Sequence, residues 1–173
     1  ASGLPGALAY WSFSDGQAGV FNDARGGSEA LAYRLYENQA QLQVEMPLRD
    51  GPNGSPASAL EFNGEDSFGF IAHAASMEVT PGTVAIWIQP DEINNSQQIV
   101  LSKDEKNAGD GGHFRLGHED GGRIFLRFAE GDGGSNKSWV SDAQYLTEGT
   151  WTHLAVSFTE DGITVYADGV AIP

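Results

Sequence analysis

Carboxylates are the chain's most frequent chemically active side chains, and they stand in glycine-rich turns. Asp and Glu number 24 against 9 Lys and Arg, a net charge of −15. They gather in Asn63-Gly64-Glu65-Asp66 and in the stretch from Asp104 to Asp110 with Asp120. Oxygen ligands on loops suit hard cations, so calcium is the cofactor such turns would hold. A solvated acidic surface is the plainer reading, and the 104–110 stretch reads first as an acidic loop. No segment matches a twelve-residue EF-hand loop, since Asp132-Gly-Gly and Asp161-Gly-Ile lack the alternating ligands. The four histidines, His73, His113, His118 and His153, are isolated; none shows a zinc spacing.

A second chemistry follows from period-two alternation. Val84, Ile86 and Ile88 take one face of a strand, which leaves Ala85, Trp87 and Gln89 on the other. The same count sets Phe114 and Leu116 inward with His113 and Arg115 outward. It sets Ile124, Leu126 and Phe128 inward with Phe125 and Arg127 outward, and His153 also outward. If these strands share one sheet, Trp87, His113, Arg115, Arg127 and His153 line a shallow concave surface. Aromatic rings with Arg and His suit sugar faces and hydroxyls, or acidic glycans and peptides. The plainer reading makes Trp87 and His153 packing residues. Trp139, beside Asn136-Lys137-Ser138, is expected as an exposed loop contact, and Trp11 and Trp151 as core.

The elements that must hold these groups are strands. Glycine, 23 residues, clusters between apolar runs, as in Gly51-Pro-Asn-Gly54, Gly109-Asp-Gly-Gly112 and Gly131-Asp-Gly-Gly134. Many short strands with Gly/Asp turns indicate an all-β sandwich or barrel. Strands are expected at 7–13, 59–62 (Leu60 and Phe62 inward), 68–71, 83–89, 98–102, 113–116 and 123–128, with a short one at 138–140. Residues 30–46 read as a short helix or irregular strands, 47–56 as a loop and 142–147 as turn-rich. The clearest element is a hairpin, Gly149 to Phe158 and Gly162 to Gly169, joined by the acidic turn Thr159-Glu160-Asp161-Gly162. The 173 residues suit one domain, 1–173, with no evident boundary or repeat. No run approaches a membrane helix, and Ala1 to Gly6 is not a signal peptide. Without cysteine there is neither a disulfide framework nor a thiolate metal site. The charge opposes nucleic acid and anionic membranes as partners.

Five pieces in order resemble laminin-G-like domains of the concanavalin A-like lectin/glucanase type. They are Ala9-Tyr-Trp-Ser-Phe13 with Asn22-Asp23; Ala59-Leu-Glu-Phe-Asn-Gly64; Pro81-Gly-Thr-Val-Ala-Ile-Trp-Ile-Gln-Pro90; Ile99-Val-Leu-Ser-Lys103; and Gly149-Thr-Trp-Thr-His-Leu-Ala-Val156 with Tyr166-Ala-Asp-Gly169. The resemblance implies an antiparallel two-sheet β-sandwich, a jelly roll. Residues 24–58 have no counterpart in the family and read as an insertion-like segment. The family's last strand, of Gly-x-Ile-Asp-Glu-Val type, has no counterpart before Pro173.

The resemblance also implies a calcium position, which by residue type falls on Asp23 and Asn63 with Glu65 and Asp66 beside them. The alternative is that Asn63-Gly64 only turns the chain and Asp23 only caps a loop. Glucanases of this type carry acid and nucleophile on one strand as Glu-x-Asp-x-(x)-Glu. No such strand occurs here, nor Gly-x-Ser-x-Gly, nor His-Glu-x-x-His, so the chain is not expected to be an enzyme. The expectation is an extracellular, calcium-binding recognition module that binds a glycan or an extracellular protein. It would stand beside neighbouring domains of a larger bacterial surface or secreted protein, such as an adhesin. The alternatives are a structural spacer, or an accessory domain of a secreted glycoside hydrolase or sialidase.

Overall fold

The computed structural model describes residues 7–14, 19–25, 27, 30–35, 41–72, 81–103, 114–129 and 136–173. Every regular element among them is a strand. The chain divides into two compact units, Ala1–Glu78 and Val79–Pro173.

In the first unit, β2 (Ala30–Leu35) is the centre of an antiparallel sheet. One side pairs with β1 (Val20–Phe21) at its start and with β3 (Gln41–Gln43) over its second half. The other side pairs with β6 (Ser67–Ile71). A two-stranded ribbon joins β4 (Leu48–Arg49) to β5 (Ala59–Leu60). The described residues of 24–58 thus include three strands, and those of 30–46 take the strand alternative rather than the helix. Phe21, Ala30 and Met46 are buried, with Trp11, Phe13, Val44, Leu60 and Ile71 packed on them.

Two expected strands are corrected here. Residues 7–13 form no strand. The Tyr10 N–H donates to Asp23 Oδ1 (2.9 Å), and Ala24 N–H donates to the Tyr10 carbonyl (2.8 Å), so a side-chain cap takes a donor that a ladder would use. The 59–62 strand stops at Leu60, and Phe62 is exposed (48 %) where an inward residue was expected.

The second unit is a sandwich. One sheet runs β14 (Val170–Ala171), β13 (Gly162–Ala167), β12 (Thr152–Thr159), β7 (Gly82–Ile88). The other runs β11 (Asn136–Gln144), β10 (Arg123–Ala129), β9 (Phe114–Glu119), β8 (Gln98–Lys103). All pairings are antiparallel. Phe114, Leu116, Ile124 and Leu126 of one sheet share a core with Leu154, Val156, Phe158, Val165 and Ala167 of the other. Phe114 and Phe158 bridge the layers with ring centroids 5.6 Å apart. Each buried aliphatic side chain contributes roughly 1.5–3 kcal/mol, which fixes the strand faces and therefore which residues point out.

Register follows the same logic. The hairpin pairs Thr159 with Gly162, so Glu160-Asp161 is its two-residue turn. Asp168 and Gly169, at φ 49° and 80°, form a second one, the positive-φ geometry that matches strand twist. The 138–140 strand is longer than expected, Asn136–Gln144. Its bulge opposite Arg123 and Phe125 is closed by Ser141, fully buried. Ser141 Oγ accepts from Ile124 N–H (2.9 Å) and donates to the Ala143 carbonyl (2.7 Å). A buried hydroxyl with both roles filled lets the strand run on past an irregularity.

Candidate functional site

The two sheets of the sandwich present outer faces that point away from each other, and the expected ligand residues divide between them. On β7 and β12, Trp87 stands opposite His153. Their rings lie 5.0 Å apart, tilted by 51°. Trp87 is 47 % exposed although it occupies an edge strand of a packed sheet. On the far side, His153 N–H donates to Asp168 Oδ1, and Asp168 N–H donates to the His153 carbonyl, both at 2.8 Å. This clasp fixes the backbone on which the imidazole stands.

The next row of the same face is Ala85, Ala155, Tyr166 and Ala171, and the row after it Thr83, Ser157 and Thr164. Small side chains thus make a floor, with Trp87 and half-buried Tyr166 rising from it and hydroxyls at one end. Thr83 Oγ1 donates to Ser157 Oγ at 3.3 Å. Such a surface offers apolar ring faces beside hydrogen-bonding groups, the combination a sugar ring presents in return. Tyr166 is absent from the sequence-derived set. The same alternation would have found it, because Ile163 and Val165 point inward.

Arg115 and Arg127 lie on the other sheet, directly opposite one another on β9 and β10. The expectation that they line one surface with Trp87 and His153 therefore does not hold: their strands belong to different layers. Alternation gives a residue's face but cannot say which sheet its strand joins. Phe125 takes the outward parity as expected, yet is 4 % exposed. Trp139 is corrected as well. It sits in β11 rather than on a loop, opposite Leu126, half-buried against the core. There it walls an apolar cleft of about 260 Å³ with Leu126, Phe128, Ile163, Val165, Ile172 and Pro173. His113, His73 and the 104–110 stretch lie outside the described residues. Asp120 lies in the β9–β10 turn at φ 45°, 3.6 Å from the Arg123 guanidinium.

The metal set is committed elsewhere. Asp23 Oδ1 accepts from the N–H groups of Tyr10 and Arg25, and Oδ2 from Gly27, each at 2.9 Å. Burial pushes its carboxyl up, but these three donors and the Arg25 charge outweigh that and hold it below the usual carboxylate range. Asn63 Oδ1 accepts from the N–H groups of Glu65, Asp66 and Ser67 and from Ser67 Oγ, at 2.7–3.2 Å. Its Nδ2 donates to Asp66 Oδ1 at 2.6 Å. An amide oxygen with four donors has no lone pair for a cation. Among the described residues no group of three or more His, Cys, Asp or Glu side chains converges on one point. The Asp23, Asn63, Glu65, Asp66 set, as folded, does not fit a calcium ion. It closes two loops by side-chain-to-backbone bonds.

A family model of the concanavalin A-like lectin/glucanases superfamily, laminin-G type, matches residues 63–173. The chain belongs to that superfamily. The matched part contains the whole two-sheet sandwich, so the jelly-roll fold read from the five motifs stands. Among solved structures, a crystal structure of residues 221–444 of an S-layer domain-containing protein from Clostridium thermocellum is similar. It is 23% identical, with a TM-score of 0.57, over 95% of this chain and 70% of that one. At that identity the likeness concerns the fold. No curated protein sequence matches this member of the superfamily.

Proposed function

We propose that this concanavalin A-like domain is a non-catalytic recognition module of a surface or secreted protein, binding carbohydrate on the outer face of β7, β12 and β13. The observation that carries the reading is Trp87. A large aromatic ring is left about half exposed, propped by His153 and set beside a floor of alanines with hydroxyls beyond it. A buried Trp at an edge would only pack, whereas an exposed one braced from below offers a stacking surface worth on the order of 1 kcal/mol or more. The resemblance in fold to an S-layer domain-containing protein supports a cell-surface setting. No helix of the described structure is long and apolar enough to cross a membrane. In this reading the binding step draws no calcium from Asp23 or Asn63, whose oxygens hold N–H donors.

A glycan array of neutral oligosaccharides, followed by titration of the best binder, tests this. Trp87→Ala is expected to weaken binding about tenfold, roughly 1.4 kcal/mol, with the melting temperature unchanged. Equal binding by a folded Trp87→Ala variant would sink the assignment. Release of new reducing ends on prolonged incubation would sink the non-catalytic part.

A further inference from the structure

Asparagine is followed by glycine at Asn53-Gly54 and again at Asn63-Gly64, both exposed. In such a pair the glycine nitrogen can attack the asparagine side chain at Cγ, because glycine has no side chain to bar a close approach. The two pairs are held in opposite ways. At Asn53 the attacking group is tied, since Gly54 N–H donates to the Gly51 carbonyl at 2.9 Å. At Asn63 the attacking group is open. Gly64 N–H makes no hydrogen bond among the described residues. Gly64 stands at φ 73°, and a Cβ placed on it would meet nothing within 4 Å.

The group under attack is the tied one at Asn63, and it is tied by its oxygen. Oδ1 accepts from the N–H groups of Glu65, Asp66 and Ser67 and from the Ser67 hydroxyl. Backbone N–H donors can face only the oxygen end of an amide, so its orientation is settled. Asp66 Oδ1 holds Nδ2 at the other end. When a nitrogen adds to Cγ, negative charge builds on Oδ1. Donors already aimed at that atom strengthen as it does, which is how an oxyanion hole lowers a barrier. The cradle that closes this loop thus also fits the transition state of its own modification.

We infer that Asn63 is a self-modification site. The Gly64 nitrogen gives its proton to water and bonds to Asn63 Cγ. The Cγ–Nδ2 bond breaks, and Nδ2 takes a proton from water and leaves as ammonia. The succinimide ring that remains adds water at either carbonyl, giving aspartate or isoaspartate at position 63. The product carries a carboxylate where Nδ2 had donated to Asp66, and two carboxylates at that separation repel. The loop leading into β6 is thereby opened by a step that does not reverse. The reaction draws on none of the residues of the recognition face.

The test is incubation of the intact chain at neutral pH, with peptide mass spectrometry following the change from amide to acid at each position. In the folded chain Asn63 is expected to convert about tenfold or more faster than Asn53. In concentrated urea the advantage is expected to vanish. Ser67→Ala, which removes one donor to Oδ1, is expected to slow Asn63 about threefold or more, and Ser67→Thr, which keeps the hydroxyl, to restore the rate. The inference is overturned if Asn53 converts as fast as Asn63 in the folded chain, or if Asn63 converts no faster folded than in urea. It is equally overturned by an unchanged or faster rate in a folded Ser67→Ala variant, since the cradle would then only restrain the amide. The comparison of folded and denatured parent needs no variant, so it decides the matter even where Ser67→Ala does not fold.

Discussion

His118 faces the interior of the sandwich from β9, on the same side as Phe114 and Leu116 and opposite Ile124. It is 2 % exposed, and its Nδ1 has no hydrogen-bond partner among the described residues. Burial lowers its pKa from the ordinary histidine value, so it is held neutral. Below about pH 6.5 the unfolded chain takes up a proton there that the folded chain refuses. Stability is therefore complete above that pH and declines as pH falls towards the lowered folded value. His118→Leu removes both the orphan nitrogen and the titration. Its melting temperature is expected to change less than the parent's between pH 7 and pH 5; parallel curves would contradict the assignment. Asp23, with its carboxyl held low, loses its contribution only as pH falls below about 4, so the two groups act in separate windows.

At the scale of the element, the close approach of β8 to β9 is the feature most open to mutation. β8 shifts register between Ile99 and Leu101, opposite Gly117. A Cβ on Gly117 would run into the Gln98 carbonyl and crowd the Ile99 Cα, both backbone atoms. Gly117→Ala is thus expected to lower stability by about 1–3 kcal/mol, measured by denaturant unfolding; a change under about 0.5 kcal/mol would mean the bulge absorbs it. Elements of this kind mark the limit of what the sequence discloses. The hairpin, β7 and β10 were legible because alternation and turn residues agree at every position. The residues 7–13 were not, since their apolar run looks like a strand and only the distant Asp23 shows where its N–H groups go. Trp139 was misread because Gly131 to Asn136 and the polar residues around it suggest a loop, while the Ser141 bulge that extends the strand is invisible in a one-dimensional pattern. Arg115 and Trp87 were placed on the correct side of their strands, but sheet membership is a long-range property.

At the scale of the whole molecule, charge sets the behaviour. A net −15 repels any polyanion at long range. Salt near 0.1 M screens beyond about 10 Å, so any acidic glycan is expected to be repelled more strongly at 10 mM salt than at 100 mM. The acidic surface also bears on metal. Melting curves of the full chain in EDTA and in millimolar calcium are expected to superimpose, given how Asp23 and Asn63 are bonded. A large rise in calcium would show ligands that the described residues do not bring together.

The opposed outer faces carry one more consequence. Trp87 and Arg127 look out from two stacked layers, and stacked layers stand about 10 Å apart. An occupant of one face cannot crowd an occupant of the other. A glycan stacked on Trp87 would then leave the opposite layer untouched, so capture needs no parting of the sheets.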